Sequence, residues 1–428
     1  MATQSDSPRY APSAPHVDDV PQPPFYERVL ILATTGVLIA LAAFYLKGME
    51  PVRTAAATYD AAMAAMGMAP TPWSFRELTV AAAMWTVMMV GIYRTPEALE
   101  AAWKYFILGS VGIALAFFGT ILIYLSAQDV LGQGLAAMAW DQVQRSGGRL
   151  DPNLLSLAFV FLLVGYGTKV GIAPFHAWLP DAHAEGPTPI SAVLSGLLLN
   201  VALYALLRFK MILAGNAATL NVGYVMMGLG LVSLVFAALM LYRRRDIKRL
   251  FAYSSIEHMG IMTFAFGLGG PLANFAGLLH MTMHALTKSA IFFAVGHIAQ
   301  IKGTQRLAQI RGLSESNPLL ATGFALAVVA IAGLPPFGVF MSEFMLVSSS
   351  FARQPWLAVI LVFGLILAFG ALVIHLQRVL FGEPSPSVAS SKASYIPLFV
   401  HLALVLTAGL WLPEPVVRWF RAVAAQLG

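Results

Sequence analysis

What most constrains this chain is a repeating pattern of long apolar runs, each close to bilayer-spanning length and separated from the next by a short polar stretch. A helix needs about 20 mostly apolar residues to cross about 30 Å of hydrocarbon, and about twelve segments meet that measure. They are 27–46, 76–93, 103–126, 154–179, 188–212, 219–242, 250–267, 272–299, 318–334, 336–350, 355–381 and 395–412. Charged residues make up only 11% of the 428, and hydrophobic residues 58%, whereas a soluble domain carries roughly a quarter charged residues. The pattern excludes a water-soluble globular fold. It predicts an all-α membrane protein of about twelve transmembrane helices, solvated by the lipid bilayer.

The chain contains no cysteine. This removes disulfides, thiolate zinc sites, cysteine-ligated iron–sulfur clusters, covalently attached haem and thiol nucleophiles from its own chemistry. No cofactor and no catalytic centre of its own are expected. The net charge of +6 does not suggest a nucleic-acid partner, because the basic residues lie between apolar runs rather than on one face. The stretch Arg243 to Arg249 and the loop holding Lys302, Arg306 and Arg311 both follow even-numbered spans. They therefore share the amino-terminal side, which the positive-inside rule makes cytoplasmic, although Arg208 and Lys210 depart from the pattern. The expected location is the cell inner (plasma) membrane, crossed many times.

Residues 1–24, rich in Pro, Ser, Ala and Asp, read as a disordered tail. They lack the basic start and apolar core of a signal peptide, so the first span is expected to be retained. Residues 25–75 follow as an amino-terminal helix and loop, 76–383 as the core, and 384–428 as a final helix with an amphipathic end. In that end Trp411, Trp419 and Phe420 flank Arg418 and Arg421, an arrangement suited to lying along an interface.

Ionisable residues inside the apolar runs point to function, since each costs at least about 2.5 kcal/mol at the bilayer centre on insertion scales. Lys169 stands in the fourth span, shortly before Pro174. A desolvated lysine beside a hydrated helix break can take up and release protons; the alternative is a lysine snorkelling to an interface or held in an ion pair. His280, His284 and Lys288 recur every fourth residue and share one helical face, where bridging waters could pass protons between them. The same pair of histidines could hold a metal, but the segment lacks a zincin's adjacent glutamate and offers no third ligand nearby in sequence, so no metal is expected. Glu257 and His258 lie inside the seventh span, about 100° apart around the helix, so only one is expected to face a given partner helix. Glu343 follows the break Gly333-Leu-Pro-Pro-Phe-Gly338 within an otherwise apolar run and suits a terminal proton donor or acceptor. Asp181, His183 and Glu185 read as a cytoplasmic loop between spans four and five, at a mouth or a subunit contact. His297, His375 and His401 read as packing residues.

The run Lys169-Val-Gly-Ile-Ala-Pro-Phe-His-Ala-Trp-Leu-Pro-Asp-Ala-His183, with Ala-Glu-Gly-Pro-Thr-Pro-Ile-Ser191 after it, resembles the signature of the antiporter-like proton-conducting subunits of respiratory complex I. Multisubunit cation/proton antiporters and membrane-bound hydrogenases share those subunits. Within that superfamily, the stretch Glu97 to Gly112, Ser254-Ser-Ile-Glu-His-Met-Gly260 and His284-Ala-Leu-Thr-Lys288 look most like hydrogenase-4 component F. The resemblance covers roughly Glu97 to Glu383. It implies a core of two inverted five-helix repeats, each with a broken helix. It also implies Lys169 as the central lysine, His280, His284 and Lys288 as a relay near the second break, and Glu343 near the outlet.

Two departures stand out. Asn200 occupies the place where many complex I relatives have a second relay lysine, and 78–90 lacks the glutamate that pairs with the central lysine. Glu77, about one turn away, is the candidate switch carboxylate. The chain is also shorter at its amino end than the superfamily usually is. The resemblance implies a proton-translocating subunit driven by redox chemistry in peripheral hydrogenase-like or iron–sulfur partners, alongside other membrane subunits. Two alternatives stay open: a cation/proton antiporter subunit, and an energy-coupling membrane partner of a non-redox inorganic-carbon uptake complex.

Overall fold

The structure is a computed structural model and describes residues 89–388 and 394–428, which are helical throughout their regular parts. The segment 27–46, nearly all of 76–93, the tail 1–24 and the helix and loop assigned to 25–75 lie outside the described residues. Helix α1 spans Pro96–Leu131, α2 Pro152–Val170 and α3 Trp178–Glu185. A long α4, Thr188–Ala214, contains a π-helical stretch at Leu194–Leu198. Then follow α5 (Val222–Leu241), α6 (Ile247–Leu268) and α7 (Gly270–Lys302). The chain continues through α8 (Pro318–Ile331), α9 (Gly338–Arg353), α10 (Pro355–Leu380), α11 (Ile396–Leu410) and α12 (Glu414–Gln426).

Local sequence sets the helix starts. Thr95 accepts a hydrogen bond from the Ala98 N–H ahead of Pro96, and Asp151 accepts from the Asn153 and Leu154 N–H groups ahead of Pro152. In each case a polar cap is followed by a proline that has no N–H to waste.

Six described helices, α1, α2, α4, α5, α7 and α10, are long and apolar enough to cross a membrane, and α11 with α12, bent by 77°, makes a seventh if the pair is one span. The twelve spans expected from sequence are thus not reached among the described residues. Ser254, Ser255, Glu257 and His258 lower the hydropathy of α6, and α8 and α9 are 14 and 16 residues long.

Polarity is distributed as a bilayer requires. Phe117, Phe363 and Ile366 are 55%, 54% and 63% exposed, whereas Glu257, His284 and Lys288 are 2%, 0% and 0% exposed. Apolar surface around a polar centre is stable only where the surrounding solvent is lipid.

Helix α6 forms the centre, with nearly every residue buried. It packs against α5 along a seam where glycine is required: a Cβ on Gly260 would lie 2.7 Å from the Gly230 carbonyl, and one on Gly230 would lie 2.6 Å from the Gly260 carbonyl. Small residues let membrane helices approach this closely and pack without a hydrophobic drive. On the other side α6 meets α7, and α7 in turn meets α8, α9, α11 and α12.

Two breaks interrupt the bundle. The first, 171–177, begins at Gly171, whose φ of 76° ends α2, and contains the cis bond Ala173–Pro174. The Ala173 N–H donates to Ser233 Oγ on α5 at 2.9 Å, and Trp178 Nε1 donates to the Thr168 carbonyl at 2.6 Å. The second break separates α8 from α9 and holds Gly333 (φ 70°) and the cis bond Pro335–Pro336. Irregular backbone inside a bundle persists where side chains satisfy it in this way.

Candidate functional site

Lys169 lies in the last turn of α2, just before the first break. Its Nζ sits 4.6 Å from the centre of the Tyr105 ring on α1, and a Cβ on Gly109 would come within 2.7 Å of that amine. The absence of a side chain at position 109 therefore makes room for the lysine head. Beside it is a cavity of about 250 Å³ lined by Ile113, Ala116, Phe117, Thr120, Gly165, Tyr166 and Lys169. Among the described residues no carboxylate lines this cavity, and an aromatic face is the group that meets the cation. The candidate switch Glu77 falls outside the described residues.

A second group forms where α6, α7 and α9 converge. His258 Nδ1 and His280 Nε2 face each other at 2.9 Å, and the other nitrogen of His280, Nδ1, meets Ser342 Oγ at 2.9 Å. Glu257 Oε2 lies 3.7 Å from His258 Nε2, beyond hydrogen-bond distance. The His284 ring stands 5.4 Å from that of His258, and both its nitrogens are buried without a partner among the described residues. Lys288 Nζ donates to the Phe251 carbonyl at 2.9 Å. Of the two neighbours on α6, His258 meets His280 of α7, while Glu257 lies beside His258 on its own helix.

Glu343 completes the group. Its carboxylate tucks against Gly333 so closely that a Cβ there would overlap it. Ligand-capable atoms of Glu343, His258 and His280 all lie within 4.8 Å of one another. Sequence spacing joined His280 to His284, whereas the structure also joins it to His258, Ser342 and Glu343. Three helices meet there, and no local period in the sequence encodes that meeting.

The loop expected at Asp181 and His183 is instead the helix α3, since the chain resumes helical geometry immediately after the first break. Asp181 is held by Lys104 at 2.8 Å and Arg249 at 3.0 Å, with Glu185 3.4 Å from Arg249, which ties α1, α3 and α6 together. His183 is fully buried rather than at a mouth. Its ring stacks on Phe292 of α7 at 5.0 Å, with both nitrogens unpartnered among the described residues. His176, in the first break, packs against Phe236 at 4.8 Å and has an unpartnered Nδ1. The sequence reading gave neither histidine an interior place, although both stand inside the run that begins at Lys169. Asn200 donates to the Gly196 and Met281 carbonyls and so clips α4 to α7. His375 and His401 each bond a backbone carbonyl.

The family model described as NADH:quinone oxidoreductase/Mrp antiporter, TM, matches residues 78–368. The chain belongs to this family. The match takes in both breaks and every candidate residue from Lys169 to Glu343. Among the family's relatives, the hydrogenase-4 component F homolog of Methylacidiphilum infernorum (isolate V4) is 62% identical over 342 residues, 80% of this chain and 72% of that protein. NADH-quinone oxidoreductase subunit M of Pseudomonas aeruginosa is 31% identical over 325 residues, 74% of this chain and 62% of that one. The fold is similar to a chain of the membrane-bound sulfane sulfur reductase, an archaeal respiratory membrane complex, with a TM-score of 0.72 at 23% identity over 82% of this chain and 71% of the other. Membership makes the chain a multi-pass membrane protein, with the antiporter-like core that its motifs resemble.

Proposed function

We propose that the chain is the proton-translocating membrane subunit of a hydrogenase-like or complex I-like respiratory assembly in the plasma membrane. It would work beside other membrane subunits and be driven by redox chemistry in peripheral hydrogenase-like or iron–sulfur partners. The observation that carries this is the series of ionisable groups in an otherwise apolar bundle, above all the junction of the buried Glu257, His258, His280, His284 and Lys288 with the half-buried Glu343. Groups so costly to insert are retained where they move charge. Imidazole nitrogens without fixed partners can accept a proton on one side and release one on the other, with water bridging the longer gaps.

In this mechanism Lys169 takes a proton beside the first break, the buried histidines and Lys288 pass charge along α6 and α7, and Glu343 exchanges it at the second break. His183, stacked on α7, joins the series between the two ends. The Asp181–Lys104–Arg249 network holds α3 against α1 and α6 so that the break keeps its shape.

The test begins with the complex isolated through this chain from gently solubilised membranes, its partners identified by mass spectrometry. Nickel–iron hydrogenase-like or iron–sulfur subunits are expected, and a complex made only of small membrane proteins, or of these with a cytosolic zinc protein, would count against the redox drive. In reconstituted vesicles Lys169→Ala should abolish proton translocation while the complex stays assembled. Unchanged pumping by that variant would remove Lys169 from the relay.

A further inference from the structure

Two histidines and a carboxylate from three different helices meet at one point of the bundle. We propose that His258, His280 and Glu343 form a binding site for a borderline divalent transition cation such as Zn2+, and that its occupancy stops proton movement through the chain. The second clause rests on the proton-relay function; the first does not.

The donor set carries the assignment. Two imidazole nitrogens and one carboxylate suit Zn2+ and its neighbours, whereas Mg2+ and Ca2+ take oxygen ligands. The atoms lie within 4.8 Å of one another before any adjustment. His258 Nδ1 and His280 Nε2 stand 2.9 Å apart, and two nitrogens about 2.0–2.1 Å from a tetrahedral ion are about 3.3 Å apart. The pair needs to open by only a few tenths of an ångström as the ion replaces the shared proton, while the Glu343 carboxylate swings in.

One outer contact is already arranged as a metal-bound imidazole requires. The far nitrogen of His280 meets Ser342 Oγ at 2.9 Å, a partner that fixes the tautomer so that the near nitrogen presents its lone pair. The far nitrogen of His258 stands 3.7 Å from the Glu257 carboxylate, outside hydrogen-bond reach until the site closes on an ion. Three protein ligands leave a fourth position for water or for His284, whose two nitrogens are unpartnered. Glu343 is the least enclosed of the three ligands and marks the side from which an ion would arrive.

Binding and block are separable. The intact complex, stripped with a chelator, is titrated with Zn2+ and its metal content measured; Co2+ serves as a spectroscopic probe of four-coordinate geometry. The wild type is expected to hold one Zn2+ that His258→Gln, His280→Gln and Glu343→Gln each weaken at least tenfold, while His401→Gln leaves it unchanged. Ser342→Ala, which keeps every ligand, should weaken binding 10- to 100-fold by freeing the His280 ring. This milder variant decides the matter if the ligand variants fail to assemble. Zn2+ affinity unaltered by all of these substitutions, or lowered equally by His401→Gln, overturns the site. In vesicles, Zn2+ should inhibit proton movement with the midpoint at which it binds. Binding at these residues without inhibition overturns the block alone and leaves the site standing.

Discussion

Glu343 owes its position to a residue without a side chain. Gly333 holds φ at 70°, and a Cβ there would overlap the carboxylate. Gly333→Ala therefore carries a backbone penalty of about 1–2 kcal/mol and also pushes Glu343 away from His258 and His280. Gly382→Ala is the comparison, because φ there is 100° but no atom lies within 4 Å of the added Cβ. Both variants should lower the thermal stability of the complex, but only Gly333→Ala should lower proton translocation to the level of Glu343→Gln; equal transport in the two would detach Glu343's position from its role. At this scale the sequence marks candidates, since Lys169, Lys288 and Glu343 each interrupt an apolar run and are costly in lipid. It was silent about who meets whom. His280 pairs with His258 because α6 and α7 settle at a particular register, and His183 looked like loop because Pro180, Asp181 and Glu185 around it are also what a polar turn would contain.

One hydroxyl of α5 is among the groups that hold the first break. Ser233 Oγ accepts from the Ala173 N–H and donates to the Leu229 carbonyl of its own helix. Ser233→Ala leaves that N–H buried without a partner, a cost of about 1–3 kcal/mol. The expected result is a lower melting temperature in detergent and weaker proton translocation, with Ser233→Thr restoring both. An unchanged melting temperature in Ser233→Ala would show that the break is secured elsewhere. Pro174 and the Gly333–Gly338 segment announced both breaks in the sequence, because proline removes a donor and glycine permits the left-handed turn. Their repair was not readable, since Ser233 lies 60 residues from Ala173 and looks like any small residue in an apolar helix. Although the run 154–179 crosses the first break and α2 ends at Val170, most helix bounds fell close to the apolar runs: hydropathy and backbone chemistry are local. The seam of Gly230 and Gly260 is not, because it requires two helices to be set side by side.

The whole bundle bears on which ion moves. Sodium in a membrane transporter is held by oxygen, commonly by backbone carbonyls freed at an unwound helix. Here the Thr168 carbonyl, at the end of α2, accepts from Trp178 Nε1 at 2.6 Å, and the interior beyond it is rich in nitrogen: Lys169, His176, His183, His258, His280, His284 and Lys288. Amines and imidazoles exchange protons readily and coordinate Na+ or K+ poorly, so the groups that line the interior suit a proton better than an alkali cation. Proton translocation by the reconstituted complex should therefore run at the same rate in choline, Na+ or K+ medium of equal ionic strength, and an imposed Na+ or K+ gradient should drive no proton flux. A rate that rises saturably with Na+, or proton efflux driven by inward Na+, would instead establish cation/proton antiport. That outcome would move the search for the cation's ligands to the carbonyls of the second break and to Glu257, the carboxylate facing His258 in the centre of the bundle.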